Sequence, residues 1–314
     1  MAATWTTQKE RSNMLALSMF AWIALHLGRR VARLFLYPIT LYFVFAAGPA
    51  RRASRAYLKR VLGREATLVD GLRHVFCFSA STLDRVFLLN DRFDLFDFRV
   101  TGESVVHGGP FARGGAFMIG AHLGSFEAVR GAGHGQLDER VSMVMYEDNA
   151  QQINRILAAI NPRLAGSIIP LGRVDSMLRV KRALDDDGLL GMLADRTIGE
   201  PGDGEAVRHA SLLGGSVAIP LGPFRMAAML KRPVVFIVGL YRGGNRYDVH
   251  YEELADFSEG AVPPGADRGA LIASAIERYT SRLEHHCRSA PYNWFNFYDY
   301  WNDDAEPDAT SHDA

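Results

Sequence analysis

Cysteine is nearly absent from this chain. Cys77 and Cys287 are its only two, they lie far apart, and neither stands at metal-ligand spacing. That argues against a disulfide framework and suits a reducing compartment. Long apolar runs are missing as well. The two strongest, residues 14–27 and 34–48, span fourteen and fifteen positions, short of the about 20 that a helix needs to cross a bilayer. Arg29 and Arg30 follow the first run with no small-residue cleavage site, so a removed signal peptide does not fit. Acidic residues are almost missing from positions 1–64, where Glu10 stands alone against eleven Lys and Arg. The whole chain has 35 residues of each sign, so a segment of net +10 precedes a body of net −10 under a formal charge of zero. A dinucleotide fingerprint is absent too, because Gly131, Gly133 and Gly135 miss its spacing and follow no strand.

What is present begins with that basic, apolar N-terminus. Cations beside apolar runs fit an anionic membrane surface, where each is worth about 1 kcal/mol. Nucleic acid is the competing partner for a basic arm, but such arms are rarely this apolar, and no nucleic-acid partner is expected. Three arrangements fit residues 14–48: a tilted anchor with snorkelling arginines, a helical pair lying in the interface, or a pair of core helices. Pro38 would bend the second run. The basic stretch 51–64 would face the cytoplasm under the positive-inside bias.

The body reads as an α/β domain. Residues 66–96 carry apolar side chains at helical spacing, among them Leu72, Val75, Phe76, Leu83 and Phe87. Candidate strands follow at 98–101, 116–120, 141–146, 167–169, 189–194, 234–241 and 247–252. Helical stretches lie near 124–132, 149–160, 174–186 and 220–230, with a long amphipathic helix at 271–287. Such alternation predicts a mainly parallel sheet flanked by helices. The expected organisation is a membrane-associating segment at 1–64, a domain at 65–302 and a polar tail at 303–314.

The chemistry concentrates at Gly120-Ala121-His122-Leu123-Gly124-Ser125-Phe126-Glu127. An apolar strand runs out into small residues and delivers a histidine, and a glutamate follows five positions on. An imidazole of pKa about 6.5 can take a proton from an alcohol near neutral pH. A carboxylate on its other nitrogen would fix the tautomer and stabilise the imidazolium. This casts His122 as general base and Glu127 as its orienting carboxylate. The backbone N–H groups of Gly124 and Ser125, at the helix start, are candidates for receiving developing negative charge. His134 and Glu139 repeat the spacing, but Gly131-Ala132-Gly133-His134-Gly135 reads as a turn, whereas His122 ends a strand, where catalytic residues of α/β sheets gather.

Other groups have plainer readings. Gly214-Gly215-Ser216-Val217-Ala218 approaches a nucleophile elbow but ends in Ala. His285-His286-Cys287 are adjacent on a helix and face different ways, which reads as a surface pair rather than a metal site. The aromatic run Trp294, Phe295, Phe297, Tyr298, Tyr300 and Trp301 fits core packing or an interfacial belt.

Several ordered blocks resemble the bacterial lipid A biosynthesis acyltransferases, the late, lauroyl/myristoyl-type enzymes within the lysophospholipid/glycerolipid acyltransferase superfamily. The His122–Glu127 block is similar to that family's His-x4-Asp/Glu motif. Asp187-Gly188-Leu189-Leu190-Gly191-Met192-Leu193-Ala194-Asp195-Arg196 resembles its strand ending in an Asp-centred block. Leu213-Gly214-Gly215 with Ala218-Ile219-Pro220-Leu221-Gly222-Pro223 resembles its Gly/Pro-rich segment, and Pro233-Val234-Val235 the strand after it. Pro291-Tyr292-Asn293-Trp294-Phe295-Asn296-Phe297 is similar to its closing Pro-x-x-Trp-x-x-aromatic signature. The resemblance covers nearly the whole chain. It implies an O-acyltransferase at the cytoplasmic face of the inner membrane, moving an acyl chain from an acyl carrier protein or coenzyme A thioester to a hydroxyl of a lipid A-type glycolipid. No metal or other cofactor is implied, and Asp195 and Arg196 gain a place at the site. One departure stands out. Where many members read Tyr-Arg before an Asn-containing helix, this chain has Tyr146-Glu147-Asp148-Asn149. Asn149 keeps its expected substrate contact, but the cation is missing, leaving Arg173 or Arg196 to replace it. A different acceptor (a glycerolipid, an amino-acid lipid or a polyene-like product), a non-catalytic lipid-binding protein and a serine hydrolase using Ser216 remain the competing readings.

Overall fold

The computed structural model describes residues 14–108, 114–133, 141–146, 161, 168–197 and 206–301. Four helices lead: α1 (Met14–Leu34), α2 (Leu36–Ala46), α3 (Gly48–Leu62) and α4 (Leu68–Leu88). The α/β body runs β1 (Asp97–Thr101), α5 (Glu103–His107), β2 (Ala116–Gly120), α6 (Phe126–Ala132), β3 (Val141–Tyr146), β4 (Ile168–Leu171), α7 (Ser176–Asp185) and β5 (Leu189–Leu193). A hairpin of β6 (Val207–Leu212) and β7 (Gly215–Pro220) follows, then α8 (Gly222–Met229), β8 (Pro233–Tyr241), β9 (Arg246–Asp256) and α9 (Arg268–Ser289). The helical stretch expected at 149–160, the copy His134/Glu139 and the tail 303–314 lie outside the described residues.

Seven strands form one mostly parallel sheet in the order β1-β9-β8-β2-β5-β3-β4. β8, β2, β5, β3 and β4 run in parallel, and only β9, with β1 beside it, runs the other way. Every residue of the central strands β2 and β8 is buried, as helices on both faces of a parallel sheet require. The β6–β7 hairpin is a separate two-stranded sheet that the apolar pattern did not predict. Its turn has positive φ at Leu213 and Gly214, the geometry usually signalled by Asn-Gly or Asp-Gly and here carried by an unusual leucine. Ser216 sits within strand β7, opposite Ser211, and not at a strand-to-helix elbow.

The N-terminal helices are fastened to the body. Gly28 (φ 80°) breaks α1 and turns its last residues onto α4 and the β8–β9 turn. Arg29 pairs with fully buried Asp84 through Nε (2.7 Å) and Nη2 (2.8 Å), and Tyr247 donates its hydroxyl to the same carboxylate at 2.9 Å. Arg33 donates to the Gly244 carbonyl and to the Tyr241 hydroxyl. Arg29 and Arg33 therefore do not snorkel, which corrects the anchor arrangement at these two positions. A buried cation finds its partner in protein, not headgroups.

α3 buries Tyr57, Leu58 and Val61 in the main core and leaves Arg51, Arg52, Arg55 and Lys59 exposed. α2 is apolar on all sides, yet buries only Leu36, Thr40 and Val44. Leu34, Phe35, Tyr37, Leu41, Tyr42, Phe43 and Phe45 remain exposed. Among the described residues, no helix is long and apolar enough to cross a membrane.

Candidate active site

Strand register brings the site together. β2 and β5 are parallel neighbours with Gly120 opposite Leu193. Two residues beyond each strand end stand His122 and Asp195, at the carboxyl edge where ligands of parallel sheets bind. His122 Nδ1 lies 2.8 Å from Asp195 Oδ1, and the His122 backbone N–H donates to Oδ2 at 2.9 Å. Trp294 Nε1 (2.9 Å) and Asn296 Nδ2 (3.1 Å) also donate to Oδ2. Burial alone would raise the Asp195 pKa, but His122, Arg196 and Trp294 outweigh it and hold the carboxyl well below the usual range. An ionised Asp195 accepts from Nδ1–H, so the lone pair of neutral His122 is on Nε2. Nε2 makes no hydrogen bond with a described residue. Burial lowers the His122 pKa first, Arg196 and Arg85 act in the same direction, and Asp195 opposes them. The histidine is thus in its basic form at neutral pH.

The segment after α9 completes this edge. Phe295 N–H donates to the His122 carbonyl and Gly124 N–H to the Asn293 carbonyl, both at 2.8 Å. Asn293 spans the end of β8, accepting from Tyr241 N–H and donating to the Tyr241 carbonyl. Trp294 is fully buried, so the aromatic run is core packing at that position. Its carbonyl faces His74 Nε2 at 2.8 Å, while Ser54 Oγ lies 2.8 Å from Nδ1. A carbonyl only accepts, so His74 donates through Nε2 and receives the Ser54 hydroxyl proton.

Burial lowers the His74 pKa to about 4. The unfolded chain, with a value near 6.5, takes up the proton first. His74 therefore contributes stability above about pH 6.5 that is lost as pH falls toward 4, about 3 kcal/mol in all. NMR titration of its ring in the folded protein should give a midpoint near 4; a midpoint near 6.5 would exclude the effect.

Two expectations need correction. Glu127 is not on His122. Its Oε1 pairs with Arg85 Nε at 2.8 Å, and its Oε2 accepts from Ser125 Oγ at 3.0 Å. Five positions along a chain that turns into α6 carry the carboxylate away from the imidazole, while register supplies another from β5. Gly124 and Ser125 N–H groups are also spoken for, by the Asn293 carbonyl and by the Gly239 carbonyl at 2.8 Å, so neither is open to an oxyanion.

No family model matches this chain, and no curated protein matches it.

The remaining expected residues divide by position. Arg196 reaches the closing segment, with Nε on Asn296 Oδ1 (2.8 Å), Nη2 on the Phe295 carbonyl (3.2 Å) and its guanidinium over the Tyr298 ring. Its charge bears on His122. Arg173 follows β4, three strands from β2, or about 14 Å at ordinary strand spacing, and pairs with Asp175. Asn149 and Glu147 lie outside the described residues. His286 is buried against Glu252 at 2.6 Å and stacked on Phe236, correcting the surface-pair reading. No metal-binding group occurs among the described residues. A cleft of about 340 Å³ lined by Gly114, Lys181, Arg232 and Pro233 lies at the opposite, amino end of β2 and β8. Arg85 of α4 is the site residue that sequence reasoning missed. An arginine on an exposed helix stripe has no spacing signal to single it out.

Proposed function

We propose that the protein is a membrane-associated O-acyltransferase of the lipid A late-acyltransferase type, with a glycerolipid acyltransferase-like fold. The observation that carries this reading is the His122–Asp195 pair, with Nε2 left open at the carboxyl edge of a parallel sheet. His122 removes the proton from an acceptor hydroxyl as its oxygen attacks the thioester carbon. The tetrahedral intermediate collapses, the C–S bond breaks, and the imidazolium returns its proton to the leaving thiolate. Asp195 stabilises the imidazolium between these steps. General-base action of this kind contributes about 100- to 10,000-fold. An acyl carrier protein or coenzyme A thioester supplies the chain, and no covalent acyl-enzyme is required.

The exposed apolar helices support a membrane acceptor. α2, at eleven residues, is about 16 Å long and suits an interfacial position rather than a span. The cations of α3 (Arg51, Arg52, Arg55 and Lys59) stand beside it, fitting anionic headgroups or the acidic surface of a carrier protein. The inner membrane's cytoplasmic face is the matching location. Lipid mass spectrometry of a strain lacking the gene provides the test. Lipid A short of one acyl chain is the expected product; an unchanged lipidome would sink the proposal, and a mass loss in a glycerolipid would transfer the chemistry to another acceptor.

A further inference from the structure

Arg85 has a use that acyl transfer by His122 and Asp195 does not supply. Asp195, Arg196 and Arg85 are the charges that act on the histidine, and Glu127 is tied to this set through Arg85. Asp195 is fully covered, Glu127 is 15% exposed, and the Arg85 side chain is 45% exposed. The outermost charge at this edge is therefore a cation, held on one side by Glu127, which Ser125 holds in turn. Arg85 also tops an exposed stripe of α4. Phe78, half-buried Thr82 and Arg85 follow one another at helical spacing, while Ser79, Ala80, Ser81, Leu83 and Asp84 between them are buried. Phe78 is 40% exposed and lies edge-on to Phe295 and Phe297, at 5.4 and 5.3 Å between ring centroids. Phe295 N–H is bonded to the His122 carbonyl. The stripe thus carries an aromatic surface at one end and a guanidinium at the other, two helical turns or about 10 Å apart, and the charge at that end acts on His122.

We infer that this stripe binds an anionic amphiphile, with a phosphate at Arg85 and an apolar chain on Phe78, Phe295 and Phe297. The inference rests on the acyltransferase reading for its purpose, which is to set a phosphate-bearing substrate next to the base. Arg suits the task because its planar fork can pair with Glu127 through Nε and present the opposite edge to a phosphate. Glu127 becomes a positioning residue acting through Arg85. The phosphate belongs either to the acceptor lipid or to the pantetheine arm of the thioester.

Dodecyl phosphate, below its micelle concentration, is the probe, with uncharged dodecyl glucoside as control. Arg85→Gln should weaken dodecyl phosphate binding about ten- to hundredfold, the loss of one charge-assisted contact, and leave dodecyl glucoside unchanged. Arg85→Lys, which keeps the charge, should recover most of that loss. Saturating dodecyl phosphate should raise the His122 pKa in the wild type, read by NMR of its ring, and not in Arg85→Gln. Affinity unaltered by Arg85→Gln, or binding that leaves His122 unshifted, would overturn the inference and assign the anion to the α3 cations. His122→Ala should still bind the probe. No turnover of any thioester together with Arg85-dependent binding would defeat the function and leave this site standing; turnover with Arg85-independent binding would do the reverse. Competition by coenzyme A, or by a phosphoglycolipid, identifies which substrate brings the phosphate.

Discussion

Asp195→Asn is expected to slow acyl transfer about 1,000- to 10,000-fold while the protein stays folded. Asp195 Oδ2 receives the His122 N–H, Trp294 Nε1 and Asn296 Nδ2, all of them donors. An asparagine must turn its oxygen toward those three and its NH2 toward His122 Nδ1. That nitrogen then has to accept, so the ring proton moves to Nε2, where the base should be. The variant loses the tautomer and, with it, the charge that stabilises the imidazolium. His122→Ala should cost at least as much. Glu127→Gln should cost far less, because Glu127 touches Arg85 and Ser125 and not the imidazole. Initial rates with labelled acyl donor and a membrane lipid extract separate the three. An Asp195→Asn protein of near wild-type rate, or a Glu127→Gln protein as slow as His122→Ala, would return the orienting role to Glu127.

Gly124→Ala is expected to destabilise the fold by about 3–5 kcal/mol, from a left-handed backbone and overpacking together. Gly124 has φ 72°, and a Cβ there would fall 2.0 Å from the Gly239 carbonyl oxygen. The obstacle is backbone of the central strand β8, which cannot swing aside as a side chain can. Gly239 is no easier to replace, since its own Cβ would meet the Ser125 carbonyl at 2.5 Å. The two glycines let the loop after His122 lie flat on β8, and this contact also satisfies Ser125 N–H. Gly71→Ala, inside α4 with nothing within 4 Å, should instead stabilise by about 0.5–1 kcal/mol. Urea unfolding of the two variants measures the contrast. A Gly124→Ala midpoint close to wild type would mean that the loop can lift away from β8.

Much of the sheet was legible because its central strands are apolar throughout and bounded by glycine and polar residues. The expected 116–120 and 141–146 match β2 and β3, and 189–194 overshoots β5 by one residue. His122 was legible for the same reason, as the polar residue that ends a buried strand. Its partner was only half legible: the resemblance placed Asp195 at the site, but the orienting role fell to Glu127. Glu127 is close in sequence, but Asp195 is close in register, and register depends on which strands become neighbours. Sequence spacing holds no trace of β5 lying beside β2 after β3 and β4 have been placed beyond it. The N–H groups of Gly124 and Ser125 were misread for a related reason. They look open at a helix start, yet Asn293 and Gly239, from distant parts of the chain, occupy them. Arg29 and Arg33 looked like lipid-facing cations until Asp84 and Tyr241 drew them inward.

The closing segment completes the surroundings of His122 and Asp195 late in the order of synthesis. The ring of bonds around His122 and Asp195 takes Asn293, Trp294, Phe295 and Asn296 from beyond the last helix. A growing chain that has reached only Ala290 already contains every described strand of the sheet, both His122 and Asp195, and the N-terminal helices. Asp195 in that chain would lack two of the three donors on its Oδ2, and the loop carrying His122 would lack its fastening. Synthesis therefore makes the N-terminal helices first, and the donors that fix the Asp195 carboxylate only after every strand of the sheet.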